Sequence, residues 1–251
     1  MTMGIPPLIT MKNIARYATL TCATGAFAII SGCATGPQAN PRDPLEPLNR
    51  KVASFNDVVD KAVVKPVAKA YIYAVPSLAR QGVTNFFSNL GEVWNTANNA
   101  LQFKGRAAAE SWMRFSINSV FGVAGIFDLA TDMGLERHRE DFGQTLGWWG
   151  VPSGPYLVIP LLGSSTARDI SAWSINAYGN PLKAVAHSGD RDRLTGLNLV
   201  DTRANLLRAI ESLEEAALDK YSFTRDFYLQ VRDNEVYDGN PPDLSAPSAP
   251  K

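Results

Sequence analysis

The sequence predicts an all-α protein with short membrane-inserted helices and no sizeable sheet, and three observations carry that prediction. Apolar residues recur at helical spacing through most of the chain. Strand-like alternation is confined to one short stretch. The fully apolar runs fall short of the roughly 18 residues that a bilayer-spanning helix needs.

Leu48, Val52, Phe55 and Val59 are spaced by 4, 3 and 4, which puts them on one face of an opening helix. Pro66 and Pro76 are expected to break the chain behind it into shorter pieces, because proline lacks a backbone N–H and clashes with the preceding turn. Phe86, Leu90, Val93, Ala97 and Leu101 make the clearest apolar stripe. Asp201 has the chemistry of an N-cap, for a helix carrying Leu206, Ile210, Leu213 and Ala217 on one face. A last helix near 222–236 should end before Gly239. Residues 156–162 are the one candidate strand, and Pro160 argues against a central position for it.

The middle of the chain departs from ordinary globular patterning. Residues 120–127 carry no polar side chain, and 157–162 are apolar apart from Pro160. Between them, Trp148, Trp149 and Tyr156 stand among Gly147, Gly150 and Gly154. Runs this short serve either as buried core or as segments that enter a bilayer part-way. Clustered Trp and Tyr is the composition of an interfacial belt, so these three are the candidate membrane-interface aromatics.

The N-terminus reads as a targeting segment. Lys12 and Arg16 supply a positive region, an uncharged apolar stretch runs from Tyr17 to Ile30, and Ile30-Ser31-Gly32-Cys33 follows. That ending resembles the lipobox of bacterial lipoproteins, which makes 1–32 a signal peptide and Cys33 the lipidation site. A start at Met11 would give a more ordinary signal. Each buried methylene adds about 0.8 kcal/mol, so the three acyl chains of such a lipoprotein make release negligible. Ala34 after the cysteine, in place of an inner-membrane-retaining aspartate, points to the outer membrane, with the body on the periplasmic side.

Cleavage leaves 219 of 251 residues and removes two bases and no acid from a chain with 24 of each, for a mature charge of about −2. That gives no support for nucleic-acid binding, which needs a basic surface. Cys22 goes with the signal and Cys33 is acylated, so no thiol is left for a disulfide or metal. Residues 33–44 form a proline-rich lipidated tether, 45–238 one helical domain and 239–251 a tail expected to be disordered.

Catalytic signatures are missing. His138 sits in the charged stretch 136–141 and is expected to be a solvated helix-start residue; His187 precedes a turn-like Ser188-Gly189-Asp190. Neither has metal-ligand spacing to another candidate ligand. Asp141-Phe142-Gly143 spells a kinase triplet without the loops that would give it meaning. The chain is expected to be no enzyme and to need no cofactor.

In their order, several blocks resemble the VacJ/MlaA lipoproteins. They begin with Asp43-Pro44-Leu45-Glu46, Asn49-Arg50 and Phe55-Asn56, and continue with Val64-Lys65-Pro66-Val67-Ala68 and Asn85-Phe86-Phe87-Ser88-Asn89-Leu90. Arg114-Phe115-Ser116-Ile117-Asn118-Ser119 and Gly122-Val123-Ala124-Gly125-Ile126-Phe127-Asp128 follow. Asp141-Phe142-Gly143-Gln144-Thr145-Leu146-Gly147 and Gly154-Pro155-Tyr156-Leu157-Val158-Ile159-Pro160 are similar too, and the likeness runs on to the segment 221–237. The resemblance implies a single ring-like helical domain lying in the inner leaflet of the outer membrane. Through its amphipathic channel, mislocalised phospholipids would leave the outer leaflet for a soluble periplasmic carrier, with a trimeric porin as partner. A scaffold that holds porins or links envelope layers is the alternative. A lipid passage needs polar groups for the headgroup and apolar walls for the chains. Phe115, Ser116, Asn118, Ser119 and Phe121 offer that mixture and are the candidate channel lining.

Overall fold

The computed structural model describes residues 40–242; the expected signal peptide, Cys33, most of the expected tether and residues 243–251 lie outside the described residues. Nine α-helices and one two-stranded hairpin make up the described fold.

Helix α1 (Glu46–Val59) opens on Pro47 in its first turn, where the missing N–H costs nothing. Pro66 does not break the chain as expected. A π turn (Asp60–Val64) carries α1 directly into α2 (Lys65–Ala74), with right-handed helical dihedrals at both junctions. The wider turn absorbs the proline just behind it, and Arg203 clamps the turn from outside through Asp60 at 2.7 and 2.8 Å. Pro76 does end its helix: Val75 before it is extended (φ −105°, ψ 122°), as steric conflict with the ring demands.

Helices α3 (Ser77–Leu101) and α4 (Gly105–Val120) fold back on each other through a tight turn at 102–104 and form the most extensive helix pair. Their buried faces are polar. On α3 the buried residues are Gly82, Asn89, Glu92, Asn98 and Asn99, and on α4 Glu110, Ser111, Arg114 and Asn118. The apolar stripe of α3 is therefore not its inward face: Phe86, Leu90, Val93 and Ala97 are only half-buried and Leu101 is exposed.

Helix α5 (Leu129–Asp132) is a single turn capped by Asp128. Helix α6 (Phe142–Trp148) is capped by Asp141, whose side chain accepts from Gln144 N at 2.9 Å. Strands β1 (Tyr156–Ile159) and β2 (Gly163–Thr166) pair antiparallel, with Tyr156 opposite Thr166 and Pro160 in the turn. One edge of the hairpin is covered by two asparagines of α1. Asn49 accepts from Val158 N and donates to Tyr156 O, and Asn56 donates to Ile159 O and accepts from Leu161 N, all at 2.8–3.0 Å. Edge groups that would otherwise be left without partners are satisfied this way.

Helix α7 (Ala167–Gly179) starts on a Thr166 cap, and a 3₁₀ turn (Pro181–Ala184) leads to α8 (Ser188–Ala216). Asp201 is not an N-cap. It lies inside α8, buried, and accepts hydrogen bonds from Tyr71, Thr84 and Asn205 at 2.7–3.1 Å. Ala204 and Leu207 are the buried apolar residues of this helix, while Leu206 of the expected stripe is exposed; the side chain of Leu213 lies outside the described residues. Helix α9 (Lys220–Val236) ends before Gly239, as expected. It closes over the hairpin, where Tyr156, Val158, Tyr221 and Leu229 form the apolar cluster.

Candidate functional site

The interior of α3 and α4 is organised around one arginine. Arg114 has 1 % of its side chain exposed. Its Nε donates to Glu92 Oε1 at 3.1 Å, one terminal nitrogen to the Leu135 carbonyl at 2.6 Å, and the other to both oxygens of Asp128 (2.9 and 3.0 Å) and to Thr131 Oγ1 at 3.1 Å. A buried charge is tolerable only when it is paired and its donors are used. Here two carboxylates, a carbonyl and a hydroxyl do that. Arg137 flanks the same acids, 3.1 Å from Glu92 and 3.2 Å from Asp128. Burial works against ionisation of Asp128, but hydrogen bonds from Thr131 and Asn118 and the charges of Arg114 and Arg137 outweigh it. Its carboxyl is held below the ordinary range.

This hub fixes the base of the loop that follows α4. Asn118 donates to Asp128 Oδ1 at 3.0 Å and accepts from Ala130 N at 2.9 Å. Asn89 donates to Ser119 Oγ at 2.9 Å, and Asn85 to the Ile126 carbonyl at 3.0 Å. Val123, Ala124 and Gly125 follow one another with positive φ (53°, 56° and 91°), so the chain reverses tightly. At Gly125 a Cβ would come within 2.6 Å of the Asn89 Cβ, which leaves glycine as the residue that fits. The result is a rigid loop whose outer surface is apolar: Phe121, Val123, Ile126 and Phe127 are all exposed, Phe121 by 71 %, beside Val120 at the end of α4.

The sequence-predicted site residues divide accordingly. Phe115 is half-buried against Trp112, with ring centroids 5.6 Å apart. Ser116 bonds back to the Trp112 carbonyl at 2.9 Å, and Ser119 receives Asn89. Asn118 is buried and spent on the base of the loop. Phe121 is on the outer surface. Trp148 and Trp149 are about half exposed, with Lys104 5.0 Å above the Trp148 ring and Trp149 Nε1 donating to the Leu101 carbonyl. Tyr156 departs from its expectation as an interface aromatic: it is 1 % exposed, at the centre of the apolar cluster, with its hydroxyl on Ser164. Cys33 lies outside the described residues.

His138 is not at a helix start either. It lies in the extended segment before α6, with Nε2 2.5 Å from Glu110 Oε2. The fold brings Glu110, Glu136 and His138 within 4.8 Å of one another, a set that no sequence spacing announces, although Arg106 already occupies Glu110 at 2.8 Å. The Asp141 carboxylate of the kinase-like triplet is spent on its helix and on Arg232 at 2.7 Å. Arg232 also holds Asp169, whose ionisation burial opposes, yet whose pKa the hydrogen bond and charge of Arg232 lower overall.

Outside the apolar cluster under α9, the hub sets the pattern of burial. Arg114, Gln102, Glu92, Asn89, Asn98 and Asn118 are among the largest fully buried side chains, while Tyr73, Leu78, Phe103 and Phe121 lie on the surface. Soluble proteins place these residue types the other way round.

Comparison with known proteins places the chain among relatives. The family model described as MlaA lipoprotein matches residues 41–235. A relative from Escherichia coli, named intermembrane phospholipid transport system lipoprotein MlaA, is 34% identical over 224 residues, covering 87% of each chain. A relative of the same name from Haemophilus influenzae is 31% identical over 237 residues, covering 88% of this chain and 90% of its own. A solved structure described as the structural basis for maintenance of bacterial outer membrane lipid asymmetry superposes with a TM-score of 0.68 at 32% identity, over 77% of this chain and 98% of its own. The chain therefore belongs to the MlaA lipoprotein family.

Proposed function

We propose that this protein is an outer-membrane lipoprotein that removes mislocalised phospholipids from the outer leaflet through an amphipathic channel and passes them to a periplasmic carrier. Residues 1–32 act as the signal peptide, Cys33 carries the acyl chains, 33–44 form the tether and 45–238 the translocating body. A trimeric porin is its partner in the membrane, and the protein itself catalyses no reaction. Phe115, Ser116, Ser119 and Phe121 remain candidate channel residues, with Asn118 fixing the loop behind them.

The observation that carries this reading is the inverted distribution of side chains. Fully burying a Leu, Val or Phe side chain is worth about 1.5–3 kcal/mol relative to leaving it in water. This chain nevertheless exposes Val120 at the end of α4 together with Phe121, Val123 and Phe127 on a loop held rigid from below. Such a patch suits contact with hydrocarbon. Among the described residues no helix is long and apolar enough to cross a membrane.

The test is a measurement of outer-leaflet phospholipid in intact cells with a membrane-impermeant amine label. Deletion should raise the labelled fraction, and the wild type, but not Cys33→Ala, should restore it. No rise on deletion, with normal envelope permeability, would favour a scaffold over a transporter.

A further inference from the structure

We propose that a polar cavity of about 350 Å³, between α3, the 137–141 segment, α6 and α9, is a headgroup site that takes the phosphodiester of a phospholipid, with Arg139 as its anchoring cation. This deepens the transport reading and rests on it.

The lining of the cavity is rich in charge, but most of that charge is already used. Arg232 neutralises Asp141 at 2.7 Å and Glu235 at 3.0 Å. Lys104 holds Glu140 at 2.9 Å, and the charge of Arg137 is paired with Glu92 and Asp128, although its buried Nε makes no hydrogen bond among the described residues. Arg139 is different. It is exposed at the rim of the same cavity, and among the described residues it makes no ion pair and no side-chain hydrogen bond. The Ser88 hydroxyl on α3 lines the cavity too and makes no side-chain hydrogen bond among the described residues. One guanidinium and one hydroxyl are thus left unspent around an open space.

That pair matches an oxyanion. A guanidinium presents its N–H groups in a planar fork that fits two phosphate oxygens at once, and a hydroxyl can donate to a third. Glu235 in the same lining suits the rest of a zwitterionic headgroup. Glu235 gives one oxygen to Arg232, while its other oxygen accepts no hydrogen bond among the described residues and its side chain is 44% exposed, open to an ammonium group.

Size limits the occupant further. The cavity lies near the lower end of the roughly 300–1,000 Å³ of small-molecule sites, enough for a headgroup but not for two long acyl chains as well. The chains would have to leave through the mouth. Gly91 keeps the α3 wall low, because a Cβ there would meet nothing within 4 Å. A larger side chain at that position would fill the cavity without disturbing a contact.

The experiment measures binding of dihexanoylphosphatidylethanolamine, below its micelle concentration, to the full-length lipoprotein in detergent. Inorganic phosphate and dihexanoylglycerol serve as the other two ligands. Arg139→Ala should weaken the short-chain phospholipid about tenfold or more, the loss of one charge-assisted hydrogen-bonded contact. Arg139→Lys should recover part of the affinity, and Gly91→Leu should abolish binding while leaving helicity intact. Dihexanoylglycerol, which lacks the phosphate, should not compete. Unchanged affinity in both Arg139→Ala and Gly91→Leu overturns the site. Inorganic phosphate binding as tightly as the lipid would make the occupant a free anion and overturn the lipid assignment. Either result leaves the transport reading standing if deletion still raises outer-leaflet phospholipid; absence of that rise is what overturns transport.

Discussion

Arg114 of α4 and Glu92 of α3 meet at 3.1 Å with 1 % and 0 % of their side chains exposed, an ion pair in the place where a soluble helix pair would put leucines. Removing one partner of a buried pair leaves the other charged and desolvated. Arg114→Met should therefore destabilise the fold by about 3–5 kcal/mol, much more than an exposed pair such as Arg193 with Asp190 could contribute. Thermal unfolding in detergent, followed by circular dichroism, checks this. In a double-mutant cycle, Arg114→Met and Glu92→Gln should couple by at least about 0.5 kcal/mol, because the two share one network. Additive losses would mean that Asp128 and the Leu135 carbonyl alone hold the arginine.

The same hub predicts a response to acid. The pKa of Asp128 is depressed below its ordinary value of 3.8 in the folded protein, so the unfolded state takes up its proton first as pH falls. The stability it contributes is present above that value and disappears as the pH drops through the folded-state pKa. Unfolding midpoints measured from pH 7 down through 3 should fall for the wild type. Asp128→Asn should start lower at pH 7 and show a shallower fall, since that titration is gone. Parallel curves would place the acid sensitivity elsewhere, for which Asp169, depressed by its contact with Arg232, is the next group to replace.

How much of this was legible in the sequence depends on which solvent is assumed. Helix content, a strand beginning at Tyr156 and the end of the last helix follow from spacing, proline and glycine, which act locally whatever surrounds them; the partner strand Gly163–Thr166 carries no such signal. The stripe Phe86, Leu90, Val93, Ala97 and Leu101 was equally visible, but taking it for the inward face assumes water outside. Asn89, Glu92 and Asn99, which do face inward, look like a solvated face by that rule. Asp201 had the residue type of a cap and Tyr156 the company of tryptophans and glycines. Their true places depend on Tyr71, Thr84 and Tyr221, distant in the chain. Arg139 carried no local signal, since being unpaired is a property of the assembled cavity.

The apolar loop after α4 should decide membrane affinity once the proposed acyl anchor is removed. In a Cys33→Ser background, Phe121→Asp with Phe127→Asp should weaken co-sedimentation with phospholipid vesicles more than a hundredfold. Each exposed ring is worth about 1.5–3 kcal/mol when it leaves water, and each factor of ten costs about 1.4 kcal/mol. Trp148→Ser should have a smaller effect, because its ring is partly engaged by Lys104. Unchanged sedimentation with intact helicity would mean that this loop faces another protein and not lipid.

Two glycines make a final test of the close approach at the loop, because the same substitution should act with opposite sign. Gly125 has φ +91° and its Cβ would sit 2.6 Å from the Asn89 Cβ, backbone-proximal atoms that cannot swing away. Gly125→Ala should cost about 2–4 kcal/mol, the left-handed penalty plus local overpacking. Gly91 lies two residues beyond Asn89 on the same helix, with ordinary helical dihedrals and open space where a Cβ would go. Gly91→Ala should raise stability by roughly 0.5–1 kcal/mol, since alanine loses less backbone freedom in a helix. Thermal unfolding of the two variants side by side checks both. A loss at Gly91 similar to that at Gly125 would show that α3 and the loop are packed more tightly against each other than these distances imply.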